Sequence, residues 1–181
     1  MVKVNRKEAE PMKEGYVDNR FASLYYKEMG QGMPLIMLHG NGESHEIFAR
    51  LSELMSRYYR VILMDSRGHG SSLMKEEAAG GDLTIPDMAA DVVQVMEFLH
   101  VPRAVILGFS DGANVALETA SCYPGRVSAV VAVSGNALPR GMSAASLMEV
   151  KIKYALWRGL EKVPLPRGVR ERAVKSRQLL G

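Results

Sequence analysis

The sequence holds a single cysteine, Cys122, among 181 residues. One thiol closes no intrachain disulfide, and no CxxC or Cys/His spacing exists from which to build a structural zinc site. A disulfide-stapled secreted scaffold is thereby excluded. Long apolar runs are also missing, since none approaches the roughly 18 residues that a membrane-spanning helix needs. The opening segment MVKVNRKEAEPMKEG mixes charges from its start and lacks the apolar core of a secretory leader, so the expected location is cytoplasmic. The 17 glycines and 8 prolines fall short of a low-complexity or collagen-like excess. A net charge of +3 is too small by itself to imply a nucleic-acid partner.

What remains is an ordinary globular composition, 47% apolar and 24% charged, on a chain long enough for one domain with a real core. Its charge is uneven. Residues 1–150 carry 14 basic and 18 acidic side chains, whereas residues 151–181 carry 9 basic and 2 acidic. Residues 34–38, 61–64, 104–107 and 127–133 read as short, fully buried strands, because each is a brief run rich in β-branched and large apolar residues, bounded by Gly or turn residues. Between them the apolar period becomes helical. Ile47, Phe48, Leu51, Leu54 and Met55 form one stripe behind the candidate cap Ser44; Met88, Val92, Val95, Met96 and Leu99 form another. The second helix has a Thr84 cap, an early Pro86 and an acid, Asp87, in its first turn. A third helix is predicted over 111–122.

Strands alternating with helices imply an α/β fold with a predominantly parallel sheet and helices on both faces. Residues 21–27 would add one or two antiparallel edge strands, and 73–83 reads as a surface loop. After residue 133 the period changes, giving two candidate helices over 144–160 and 168–180, separated by Pro164-Leu165-Pro166. The expected organisation is therefore a core over 1–138 and a helical segment over 139–181. The basic residues of that segment read as the wet face of helices, whose apolar faces would favour self-association.

The chemistry sits at one junction. After the strand 104–107 comes Gly108-Phe109-Ser110-Asp111-Gly112, a G-x-S-x-G pentapeptide that opens directly into a helix. A buried strand, a sharp turn and a helix, with glycines two positions either side of the serine, are what a nucleophile elbow requires. Ser110 is the candidate nucleophile. The strand 34–38 runs into His39-Gly40-Asn41-Gly42 at the same edge of the sheet, where ligands bind in open α/β folds. Acyl transfer needs two preorganised N–H donors for its oxyanion. The backbone amides of Asp111, next to the nucleophile, and of Asn41 are the candidates.

These residues resemble the α/β-hydrolase fold superfamily, and bacterial single-domain esterase-like hydrolases in particular. The resemblance is carried by LIMLHGNGES (35–44), VILMDSRGHGSS (61–72), VILGFSDGANVALETA (105–120) and YPGRVSAVVAVSGN (123–136). It implies a serine hydrolase acting on a small acyl substrate such as a carboxylic ester, with no metal or cofactor. Ser110 would be its nucleophile, Asn41 and Asp111 its oxyanion donors, and 65–70 a structural turn. It also implies about six of the family's eight strands here, with 139–181 resembling the family's helical lid.

In that family the chain order is Ser, then an acid, then His. The four histidines here, His39, His45, His69 and His100, all precede Ser110. The triad base and acid are therefore expected outside this chain. His39 reads as a hydrogen-bonded turn residue, His69 as a loop-packing one, and His45 and His100 as solvent-facing or capping residues. Two alternatives stay open at this point: a non-catalytic binding module that keeps the pocket, and a basic interaction domain whose tail binds an anionic partner.

Overall fold

A computed structural model describes residues 12–75 and 83–136. The 139–181 helical segment and part of the 73–83 loop lie outside the described residues. Seven strands form one sheet: β1 (Lys13–Asp18), β2 (Ala22–Met29), β3 (Met33–Leu38), β4 (Tyr59–Met64), β5 (Leu73–Met74), β6 (Ala104–Phe109) and β7 (Val127–Val133). Their order is β1-β2-β4-β3-β6-β7, with β5 pairing β2. β3, β4, β6 and β7 run parallel to their neighbours among themselves, and β2 meets both β1 and β4 antiparallel.

Because side chains on a strand alternate between faces, the central strands divide cleanly. Ile36, Leu38, Ile62, Met64, Ala104 and Ile106 point to the face covered by α2 (Ile85–Phe98) and α3 (Asp111–Cys122), where they meet Val92, Val95, Met96, Val115 and Ala116. Leu35, Met37, Val61 and Leu63 point to the other face, against Phe48 and Met55. Met55 ends α1 (Ala49–Met55), which follows a 3₁₀ turn at His45–Phe48. α2 begins as its sequence predicts, with the Thr84 hydroxyl accepting from the Asp87 N–H.

Two expectations need correction. The apolar stripe of α1 does not face the core as a unit: Phe48 is buried, but Ile47, Leu51 and Leu54 are exposed, and Ser52 is buried in their place. The 3₁₀ turn advances about 120° per residue rather than 100°, so residues on either side of it do not share one helical face. β7 was expected to be fully buried, but only Val127 is, and Val131 and Val133 are 45% and 43% exposed. Among the described residues β7 is an edge strand, so its largely apolar run has a neighbouring strand on one side only.

Candidate active site

The parallel strands end at one edge of the sheet. From β3 the chain passes to β4 on one side and later to β6 on the other, and such a switch point opens a crevice at the strand ends. Register fixes the two turns that meet there, since Leu38 pairs with Gly108.

Ser110 occupies the turn between β6 and α3 with φ 53° and ψ −118°. For a residue with a side chain this left-handed backbone costs on the order of 1–3 kcal/mol and persists only where the surroundings enforce it. They do. The Ser110 N–H donates to the Val133 carbonyl at 2.9 Å, and the Ser110 carbonyl accepts from Ala113 N–H at 2.9 Å and Asn114 N–H at 3.3 Å. The flanking glycines let three backbones cross: a Cβ on Gly108 would lie 2.1 Å from the Gly112 carbonyl oxygen, and one on Gly112 would lie 2.2 Å from that of Leu38.

The turn after β3 lies against this elbow. A cavity of about 20 Å³, room for about one water, is lined by His39, Gly40, Asn41, Ser66, His69 and Asp111 among others. Among the described residues the backbone N–H groups of Asn41 and Asp111 donate to no acceptor. The Asn41 side chain is tied back instead, its amide oxygen 3.2 Å from His69 Nε2. The Asp111 carboxylate receives Asn114 Nδ2 at 3.4 Å, and Asn114 continues to Asn136 just beyond β7.

Beneath the turn lies a polar anchor that sequence reading placed only as a structural bend. His39 is buried; its Nδ1 donates to the Gly40 carbonyl at 2.7 Å and its Nε2 accepts the Ser66 N–H at 3.0 Å. Both ring nitrogens are thus used, and burial, only partly opposed by the bond to Gly40, pushes the imidazole pKa below its ordinary value. Asp65, fully buried, receives the His45 N–H at 2.6 Å, the His45 Nδ1 at 3.0 Å and the Ser71 N–H at 2.8 Å. Burial alone would raise its pKa, but these three donors outweigh it and hold it below the usual carboxylate value. His45, expected to face solvent or cap a helix, is instead a partner of the buried Asp65, while His100 is exposed. Gly70, at φ +52°, leaves room for the Asp65 carboxylate, which a Cβ would approach to 2.2 Å.

The next residues of the same bend carry a second anchor. Arg67 donates to Asp91 of α2 through Nε and Nη2, both at 2.6 Å, and Asn19 adds a bond to the same carboxylate at 2.8 Å. This pair had no signal in the sequence, because its partners lie on different elements 24 residues apart.

The two shifted groups set a pH dependence. A histidine whose folded pKa is depressed and a carboxylate whose folded pKa is depressed both stabilise the fold above their unfolded values, and that contribution is lost as pH falls through the folded ones. The chain is expected to lose stability in two steps in acid, the first beginning below about pH 6.5, where His39 of the unfolded chain takes up a proton that the native one does not, and the second below about pH 3.9, where Asp65 of the unfolded chain does the same. Urea midpoints measured against pH check this. His39→Gln should flatten the first step, and an unchanged slope between pH 4 and 6.5 would count against the anchor.

Comparison with known proteins agrees with this geometry. A family profile of the alpha/beta hydrolase fold matches residues 33–161. The AB hydrolase superfamily protein YisY of Bacillus subtilis is 34% identical over 104 residues, covering 57% of this chain and 37% of that protein. The pimeloyl-[acyl-carrier protein] methyl ester esterase of Chromobacterium violaceum is 31% identical over 113 residues, covering 62% of this chain and 41% of that one. Among solved structures, Est816, described as an N-acyl homoserine lactone degrading enzyme, superposes with a TM-score of 0.67 at 30% identity, over 90% of this chain and 64% of that one. The matched stretch thus spans about two fifths of these two curated relatives. With a profile matched over most of its length and the sheet order in place, the chain belongs to the α/β-hydrolase fold family.

Proposed function

We propose that this chain carries the nucleophile half of a serine hydrolase acting on a carboxylic ester or related acyl compound. The observation that carries the reading is the left-handed Ser110 at the β6–α3 junction, with Asp111 directly after it and the Gly40-Asn41 turn packed against it through Gly40. Such a bend holds a hydroxyl out at the rim of the sheet, and two N–H groups there supply the charge stabilisation an acyl transition state needs. The Ser110 oxygen bonds to the acyl carbon, the carbon–oxygen bond to the leaving alcohol breaks, and the hydroxyl proton passes through a histidine base to that alcohol. Water then releases the acid by the reverse sequence. The ester esterase among the relatives supports this reaction class by its name.

Among the described residues no histidine hydrogen-bonds to Ser110: His39, His45 and His69 are engaged elsewhere. That observation also favours a second reading, a binding module without chemistry. A fluorophosphonate probe distinguishes them. Slow labelling of this chain, abolished in Ser110→Ala and accelerated on the order of 10²- to 10⁴-fold in a polypeptide extended past residue 181, is expected if a general base joins from there. An extended chain that stays unlabelled would mean that Ser110 is no nucleophile.

A further inference from the structure

The proposed reaction leaves one group at its rim unused. Glu43 folds back over the turn that follows β3, its carboxylate accepting the Gly40 N–H at 2.9 Å while its own N–H donates to the Gly40 carbonyl at 3.3 Å. Gly40 stands between this carboxylate and the candidate nucleophile. The position a Cβ would take on Gly40 is 2.7 Å from Glu43 Oε2 and 3.0 Å from Ser110 Cβ. The carboxylate oxygen and Ser110 Cβ are therefore separated by no more than those two lengths laid end to end.

Nothing among the described residues neutralises that charge by a salt bridge. Arg60 is engaged with Glu28, Arg67 with Asp91 and Lys75 with Asp18, and no ion pair among the described residues joins Glu43 to Arg50 of α1. A half-buried carboxylate within that span of Ser110 would oppose an oxyanion formed by attack of its hydroxyl, because like charges repel more strongly when partly removed from water. The opposition reverses if the substrate itself brings a positive charge to the gap.

Building on the assignment of Ser110 as nucleophile, we infer that Glu43 selects acyl substrates carrying a cationic ammonium group close to the carbonyl. The hydrogen bond to Gly40 positions the carboxylate, and its charge discriminates. A role limited to holding the turn would need only an acceptor, which an amide side chain also supplies. Glu43→Gln separates the two roles.

The test uses two amides of the same shape, one ending in trimethylammonium and the other in its neutral isostere tert-butyl, titrated into the full chain and followed by the amide resonances of Gly40 and Ser110. The cationic compound is expected to bind at least about tenfold more tightly, a preference smaller than the attraction between unit charges about 4 Å apart near a protein surface. That advantage should vanish in Glu43→Gln and survive in Ser110→Ala. Equal affinities, absence of a shift with either compound, or an advantage that survives Glu43→Gln would each overturn the inference. The wild-type comparison stands without any variant. Fluorophosphonate labelling of the same preparation is read alongside: labelling without a cationic preference removes only the role of Glu43, whereas loss of labelling in the extended chain removes the hydrolase reading.

Discussion

Gly112→Ala is expected to destabilise the fold by about 4 kcal/mol or more and to remove any reactivity of Ser110. Two effects compete. Alanine favours a helix interior over glycine by about 1 kcal/mol, and Gly112 is the second residue of α3. Against that, the added Cβ would sit 2.2 Å from the Leu38 carbonyl oxygen and 2.5 Å from that of His39. Those are backbone atoms at the end of the central strand, unable to move aside as a flexible side chain would, so the penalty exceeds the usual 1–3 kcal/mol of overpacking. The strand end and the helix start must separate, which also disperses the amides of Asn41 and Asp111. Gly125→Ala is the matched control, because a Cβ there meets nothing within 4 Å. Urea midpoints of the two variants decide the matter; similar midpoints would mean that the close approach of α3 to β3 is not a constraint.

Asp91→Ala is expected to cost about 3–5 kcal/mol, the range for removing one member of a buried ion pair. The loss strands the Arg67 guanidinium, whose side chain is 9% exposed, and takes one of two acceptors from the Asn19 amide, which keeps Gln94. A guanidinium is too basic to lose its proton in a protein, so without Asp91 the charge cannot escape by neutralisation. Replacing both partners together, Arg67→Met with Asp91→Leu, should recover most of the loss, since the desolvation of both charges is avoided. The double-mutant cycle in urea is the check. A single variant costing less than about 1 kcal/mol would place the pair among surface bridges.

Much of this architecture is written locally. Brief apolar runs mark β3, β4 and β6 because a strand buried on both faces tolerates little else, and Thr84 with Asp87 announces α2 through groups three residues apart. G-x-S-x-G is legible for the same reason: its two glycines meet the strand and helix they join. What escaped lies in pairs that no local pattern links. Asp65 meets His45 across 20 residues and Arg67 meets Asp91 across 24, and a single charged residue carries no mark of the partner it will find. β1 escaped because five of its six residues are exposed or half-buried, leaving only Val17 to report a core. The outward turn of Ile47, Leu51 and Leu54 came from a 3₁₀ start that a helical period does not register.

The pairing of Leu38 with Gly108 bears on more than placement. A slip of one residue between β3 and β6 would move one strand by about 3.3 Å and exchange its two faces, parting Gly40 from Ser110 and turning core side chains outward at once. No partly aligned sheet can present the hydroxyl and the amides together. A reagent that reacts with Ser110 only when they are assembled would therefore count correctly threaded molecules in a refolding mixture, molecule by molecule, where circular dichroism would register helices and strands of any alignment.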